Sequence, residues 1–129
     1  MARVRVLVVD DEQDMLEVCA EVLGKVPEVD LQVEKQSQRA LERLAQESFD
    51  LLLTDVRMPR VGGLDLVRAA RLVTDLRELP AVLMCTLPRG ALRDRTSAQI
   101  ARLPAVEMLD KPFTSAQLGA ALGRLLTSR

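Results

Sequence analysis

"RVRVLVVDDEQD", residues 3–14, sets an apolar run directly against a cluster of acids. The run from Val4 to Val9 reads as a strand buried on both faces, because a half-exposed strand would alternate polar and apolar positions. It stops at Asp10, Asp11 and Glu12, whose mutual repulsion has to be held beside a core. Crowded carboxylates are costly unless something positive neutralises them. Either these acids splay into water or a cation belongs among them.

Working outward, strand and helix signals alternate along the chain. A helix begins near Asp14 with Met15, Leu16, Cys19, Val22 and Leu23 on one stripe, and Gly24 and Pro27 end it. "VDLQVE" (29–34) alternates, with Val29, Leu31 and Val33 on one side and Asp30, Gln32 and Glu34 on the other. Ser37 offers itself as the N-cap of a second helix carrying Ala40, Leu41, Leu44 and Ala45. "FDLLLT" (49–54) is a third strand, "VRMPRVGG" a loop in which Gly62 and Gly63 serve a turn and a close helix approach, and "LDLVRAARLV" a third helix. "AVLMC" (81–85) is a fourth strand. A helix is expected between Arg89 and Leu103, a fifth strand at "AVEML" (105–109), and a last helix capped by Thr114 with Leu118, Leu122 and Leu125 inward.

Five strand–helix units imply right-handed crossovers and a parallel sheet covered on both faces. Strands one, three and four are apolar throughout and belong in the middle. Strand two alternates and strand five carries Glu107, so both suit edges. The strand order 2-1-3-4-5 satisfies these constraints: a three-layer α/β fold of the flavodoxin-like (βα)5 type, in which a site lies beyond the carboxyl ends of the strands where the order reverses.

Composition narrows the chemistry. With 129 residues, the chain is expected to form one domain over 1–129. Hydrophobic residues make up 48% and charged residues 29%, which fits a folded soluble protein. A net charge of −1 gives no overall attraction to nucleic acid or anionic lipid. No apolar run approaches the ~20 residues of a membrane span, and the basic-then-apolar opening is too short for a signal peptide. The two cysteines, Cys19 and Cys85, read as small buried hydrophobes in a reducing cytoplasm. The chain has no histidine, tryptophan or tyrosine and only two phenylalanines. An imidazole base, a histidine ligand and aromatic base stacking are therefore excluded or disfavoured. The glycine-rich phosphate loops GxxxxGK[ST] and GxGxxG do not follow the first strand.

The topology collects several polar residues on one rim: Asp10 and Asp11 after strand one, Asp55 after strand three, Thr86 after strand four, and Lys111 before Pro112 after strand five. Three aspartates and one lysine leave a charge of −2 in one cleft. A divalent cation balances it, and an all-oxygen donor set selects hard Mg²⁺ or Mn²⁺. A carboxylate beside such an ion and an ammonium can act as a nucleophile toward phosphorus, forming an acyl phosphate. The Thr86 hydroxyl could then hydrogen-bond a new phosphoryl oxygen.

"VVDDE", "LLLTDVRMPRVGG", Thr86 after "VLMC", and "LDKPF", in this order and at these spacings, resemble the receiver domain of two-component response regulators over essentially the whole chain. The resemblance implies a signalling switch rather than a metabolic enzyme. Asp55 would accept a phosphoryl group from a sensor histidine kinase or phosphotransfer protein. Asp10, Asp11, Asp55 and the backbone carbonyl of Arg57 would bind Mg²⁺. Thr86 and Lys111 would contact the phosphoryl group, and the Lys111–Pro112 bond would be cis. It also implies a cytoplasmic protein whose helix 4 and strand 5 surface signals to an output domain or downstream protein, with a homodimer through helix 4, strand 5 and helix 5 as a further expectation. Read from the residues, Arg89, Arg93, Arg95 and Arg102 form by default a solvated helix face; the sharper alternative pairs them across a dimer with Glu107 and Asp110. Met108 stands where receivers usually carry Tyr or Phe, Leu87 follows the switch threonine in place of a small residue, and Leu103-Pro104-Ala105 replaces the usual Gly-Ala. These departures support an alternative, a degenerate receiver acting as a phosphate-independent interaction module. A metal-dependent aspartyl phosphatase ranks last, since Arg57 stands where its second acid would be.

Overall fold

A computed structural model describes residues 3–85 and 95–127. The elements alternate: β1 (Val4–Val9), α1 (Gln13–Gly24), β2 (Val29–Glu34), α2 (Ser37–Gln46), β3 (Leu51–Asp55), α3 (Gly63–Val73), β4 (Ala81–Cys85), α4 (Arg95–Ala101), β5 (Val106–Asp110) and α5 (Ser115–Thr127). All paired strands run parallel, in the order β2-β1-β3-β4-β5.

The alternation of side chains along each strand builds two cores. Leu7, Val9, Leu52, Leu83 and Cys85 face Ala40 and Leu44 of α2, Leu66, Val67 and Ala70 of α3, and Ile100 of α4. Val6, Val8, Leu51, Leu53, Val82 and Met84 face Leu16, Cys19 and Leu23 of α1 and Leu118, Ala121, Leu122 and Leu125 of α5. β3 and β4 are buried at every position, as continuous apolar runs require when helices cover both faces. β2 and β5 are only partly buried, which agrees with their places at the edges.

Four local expectations change. Val33, expected on one side of β2 with Val29 and Leu31, is 43% exposed and so does not share their burial, because it sits near the rim, where α1 opens with the polar Gln13 and Asp14. Ala45, expected on the inner stripe of α2, is exposed. Ser37 is the first residue of α2 rather than its cap, which is Gln36. β5 begins at Val106 because Ala105 has φ of 55°, a left-handed conformation that cannot enter a strand. Thr114 does cap α5: its Oγ1 accepts from the Gln117 N–H at 3.1 Å while its own N–H donates to Gln117 Oε1 at 2.8 Å, a reciprocal capping box.

Thr86, expected to contact the phosphoryl group, its neighbours Leu87 and Pro88, and the expected helical start from Arg89 lie outside the described residues. Within them, no helix is long and apolar enough to cross a membrane.

Candidate functional site

Strand register decides which residues meet. Val9 of β1 is level with Thr54 of β3, so the next residues, Asp10 and Asp55, stand side by side at the carboxyl ends of the two central strands. Cys85 of β4 is level with Asp110 of β5, and the following Lys111 N–H donates to the Cys85 carbonyl at 2.8 Å. The Lys111–Pro112 bond is cis. The register of β4 and β5 delivers Lys111 across the sheet to the acids.

Its Nζ lies 2.8 Å from Asp10 Oδ2 and 3.2 Å from Asp55 Oδ2, with the three side chains 0–6% exposed. Glu12 Oε1 lies farther out, at 4.0 Å from the same ammonium. The other oxygen of each buried aspartate is held by a backbone N–H two residues on: Glu12 N–H to Asp10 Oδ1 at 2.9 Å, and Arg57 N–H to Asp55 Oδ1 at 3.2 Å. Each carboxylate is thus oriented by one ammonium and one amide.

Asp11 is exposed, yet its carboxylate joins those of Asp10 and Asp55 so that one oxygen of each lies within 4.8 Å of the others. Hard oxygen donors at this spacing suit Mg²⁺ or Mn²⁺. The −2 balance anticipated from three aspartates and one lysine becomes more negative still when Glu12 is counted.

The electrostatics follow from one cation shared among several acids. Burial pushes the Asp55 carboxyl above its usual range; Lys111 and the Arg57 amide oppose this and Asp10 adds to it. Burial disfavours the Lys111 ammonium, but its bond to Asp10 and the charges of Asp55 and Asp10 outweigh that and raise its pKa. The ammonium has partners in excess, whereas the acids have too few. Below the site, Cys19 is fully buried and its thiol is pushed up to about 11, by burial first and the Asp10 charge second. Both cysteines are buried and unbridged, as their reading as small hydrophobes requires.

Gly63 lets α3 start against the site. A Cβ there would sit 2.2 Å from the Asp55 carbonyl oxygen, which no side chain tolerates. Met108 is partly buried and packs against the core formed by α2, α3 and α4. Glu107, expected to pair across a dimer, is engaged within the chain: Arg124 Nε and Nη2 donate to its Oε1 at 3.0 and 2.8 Å.

Two features were invisible in the sequence. The paired amide bonds to Asp10 and Asp55 depend on turn geometry that residue identity alone does not specify. Arg71, read only as part of a helix, is 8% exposed. Its Nη2 donates to the Leu79 carbonyl at 2.9 Å and also to that of Pro104, tying α3 to the entries of β4 and β5.

Known proteins resemble this chain in sequence and fold. The family model of the response regulator receiver domain matches residues 6–123. The transcriptional regulatory protein CpxR of Escherichia coli is 30% identical over 122 residues, covering 95% of this chain and 49% of that protein. The response regulator MprA of Mycobacterium ulcerans is 33% identical over 125 residues, covering 95% and 50%. The chain thus spans about half the length of these relatives. The chemotaxis protein CheY4 of Vibrio cholerae shares the fold, with a TM-score of 0.84 at 23% identity over 96% of this chain and 99% of that one. With its site at the switch point of a 2-1-3-4-5 sheet and the family's match running nearly end to end, this chain belongs to the receiver domains of two-component response regulators.

Proposed function

We propose that this receiver is a phosphorylation-dependent switch in which Asp55 accepts a phosphoryl group from the phosphohistidine of a sensor kinase or phosphotransfer protein. The observation that carries this is the Lys111 ammonium within 3.2 Å of both Asp10 and Asp55. Asp10, Asp11 and Asp55 would hold Mg²⁺ together with the Arg57 backbone carbonyl. When bound, the ion supplies positive charge for the oxygens of the transferring group. Asp55 Oδ attacks phosphorus, the P–N bond breaks, and its electron pair leaves with the imidazole, which takes up a proton. Lys111 orients the attacking carboxylate and neutralises charge that builds up as the new P–O bond forms. The Arg57 amide fixes Asp55 Oδ1, so the carboxylate meets the donor with little loss of rotational freedom. Thr86 would bond the new phosphoryl oxygen and pass the change to the helix 4 and strand 5 surface. An output domain or separate downstream protein would read that surface.

The test is incubation with acetyl phosphate, with and without Mg²⁺, followed by intact-protein mass measurement. A single phosphoryl increment is expected only with Mg²⁺, and none in Asp55→Asn. Absence of the increment in the wild type overturns the proposal.

A second reading has one observation in its favour. Met108 is partly buried and packs against the core where a mobile ring usually couples to the switch hydroxyl, which suits a module whose partner binding ignores phosphate. Equal partner affinity before and after phosphorylation would select it.

A further inference from the structure

Ser37 has the chemistry of a helix cap but is used elsewhere. The cap position of α2 is Gln36, which makes no side-chain capping bond. The Ser37 hydroxyl, on a residue only 6% exposed, donates instead to the Val61 backbone carbonyl at 2.7 Å and lies 4.0 Å from the Met58 sulfur. The buried Thr54 hydroxyl, one residue before Asp55, approaches the same sulfur at 3.8 Å. Thioether sulfur is a weak acceptor, so the bond to Val61 dominates. The Thr54 hydroxyl has a nearer acceptor in the Asp55 carbonyl at 3.1 Å, so the segment between Val56 and Gly63 is fastened chiefly from α2, through Ser37.

That segment needs fastening. It closes on itself through Gly63 N–H to the Val56 carbonyl at 2.9 Å and Val61 N–H to the Pro59 carbonyl at 2.8 Å. It also bends through Arg60 at φ 70°, a left-handed conformation that costs a non-glycine residue about 1–2 kcal/mol. Such backbone persists only where its surroundings over-determine it. Mg²⁺ in turn demands near-ideal octahedral ligand positions, so a carbonyl on a wandering loop would have to be ordered on binding and would bind more weakly.

We infer that Ser37 is a positioning residue: it holds in place the loop that carries the Arg57 carbonyl. The inference rests on the metal-binding reading of the site proposed above. The Ser37 hydroxyl bonds Val61 and approaches Met58, and it acts through them.

The test compares wild type, Ser37→Ala and Ser37→Thr as full chains, by amide hydrogen exchange without metal and by calorimetric titration with Mg²⁺. In Ser37→Ala, the Val61 and Gly63 amides exchange faster while those inside β1 and α3 keep their rates. Mg²⁺ affinity falls about threefold to tenfold, the range of one neutral hydrogen bond. Ser37→Thr, which returns the hydroxyl, recovers both. Wild-type exchange at Val61 and Gly63 in Ser37→Ala, or wild-type Mg²⁺ affinity, overturns the inference. Should Ser37→Ala fail to fold, Ser37→Cys keeps the volume with a weaker donor and is judged by the same two measurements. A wild-type chain that takes up no Mg²⁺ would sink the proposed function, while the exchange rates would still decide for or against Ser37.

Discussion

The two rims of the one sheet carry charge in opposite ways. At the amino-terminal rim, Arg5 reaches Asp30 at 3.3 Å and Glu47 at 2.9 Å, and Arg43 reaches Glu47 at 3.3 Å. The Arg5 guanidinium also donates to the Ser48 carbonyl at 2.8 Å and lies 4.5 Å above the Phe49 ring. In these pairs two cations face two acids, partly in solvent, and each has a partner inside the chain. At the carboxyl-terminal rim one ammonium faces Asp10, Asp55 and Glu12, and the two aspartates are buried. A balanced rim joins elements and needs nothing further. An unbalanced, buried rim stores unfavourable energy that a bound cation can relieve. This asymmetry, rather than the number of charges, marks the functional end.

The contrast can be broken most severely at Lys111. In Lys111→Met, Asp10 and Asp55 lose their shared cation inside the protein, and urea unfolding without Mg²⁺ should show a loss of about 3–5 kcal/mol. A loss below about 1 kcal/mol, the value of an exposed pair, would mean that the two rims are electrostatically alike.

Magnesium sharpens the contrast next. Ion at 100 times its dissociation constant should stabilise the folded chain by about 2.7 kcal/mol, read as a rise in unfolding midpoint. The increment should survive Arg5→Met at the opposite rim, since distant sites add. An unchanged midpoint in the wild type would show that the acids bind no ion.

The smallest effects differ in sign. Burial raises the Asp55 pKa, so the cost of holding it ionised is present in full above its folded pKa and fades as pH falls below it. Metal-free Asp55→Asn is therefore expected to be more stable than wild type at neutral pH, with the gap closing in acid, as compared by urea unfolding across pH. Glu47 is the reverse. Its bond to Arg5, first among the causes, holds its pKa below 4.5, so its contribution is present above that pH and is lost as pH falls through the folded value. Glu47→Gln should flatten the acid limb of the stability–pH curve, and parallel acid limbs in mutant and wild type would refute that role.

Much of the fold was legible in the chain because burial on two faces leaves an unmistakable trace. "VLVV", "LLL" and "AVLMC" carry no polar interruption, and each became a central strand. Punctuation failed where a residue had a competing partner. Ser37 has the identity of a cap, but the Val61 carbonyl claims its hydroxyl. The start of β5 was misplaced by one residue because nothing about alanine announces the positive φ at Ala105. Val33 continues an alternating pattern past the point where helices cover it. At the site, Asp10, Asp55 and Lys111 could be foreseen, since strand ends converge in a parallel sheet. The Glu12 approach and the amide bonds to both aspartates could not, as they depend on how two turns close.

Local sequence settled which segments are strands and helices, which strands lie centrally, and which rim collects the acids, because these follow from periodicity and the right-handed crossover. Tertiary structure alone decided that one ammonium bridges Asp10 and Asp55, that Arg71 is buried between strand entries, and that Ser37 grips a loop 24 residues away. Such contacts depend on register and on competition among nearby donors and acceptors. Both are properties of the folded chain as a whole, and no local stretch contains them.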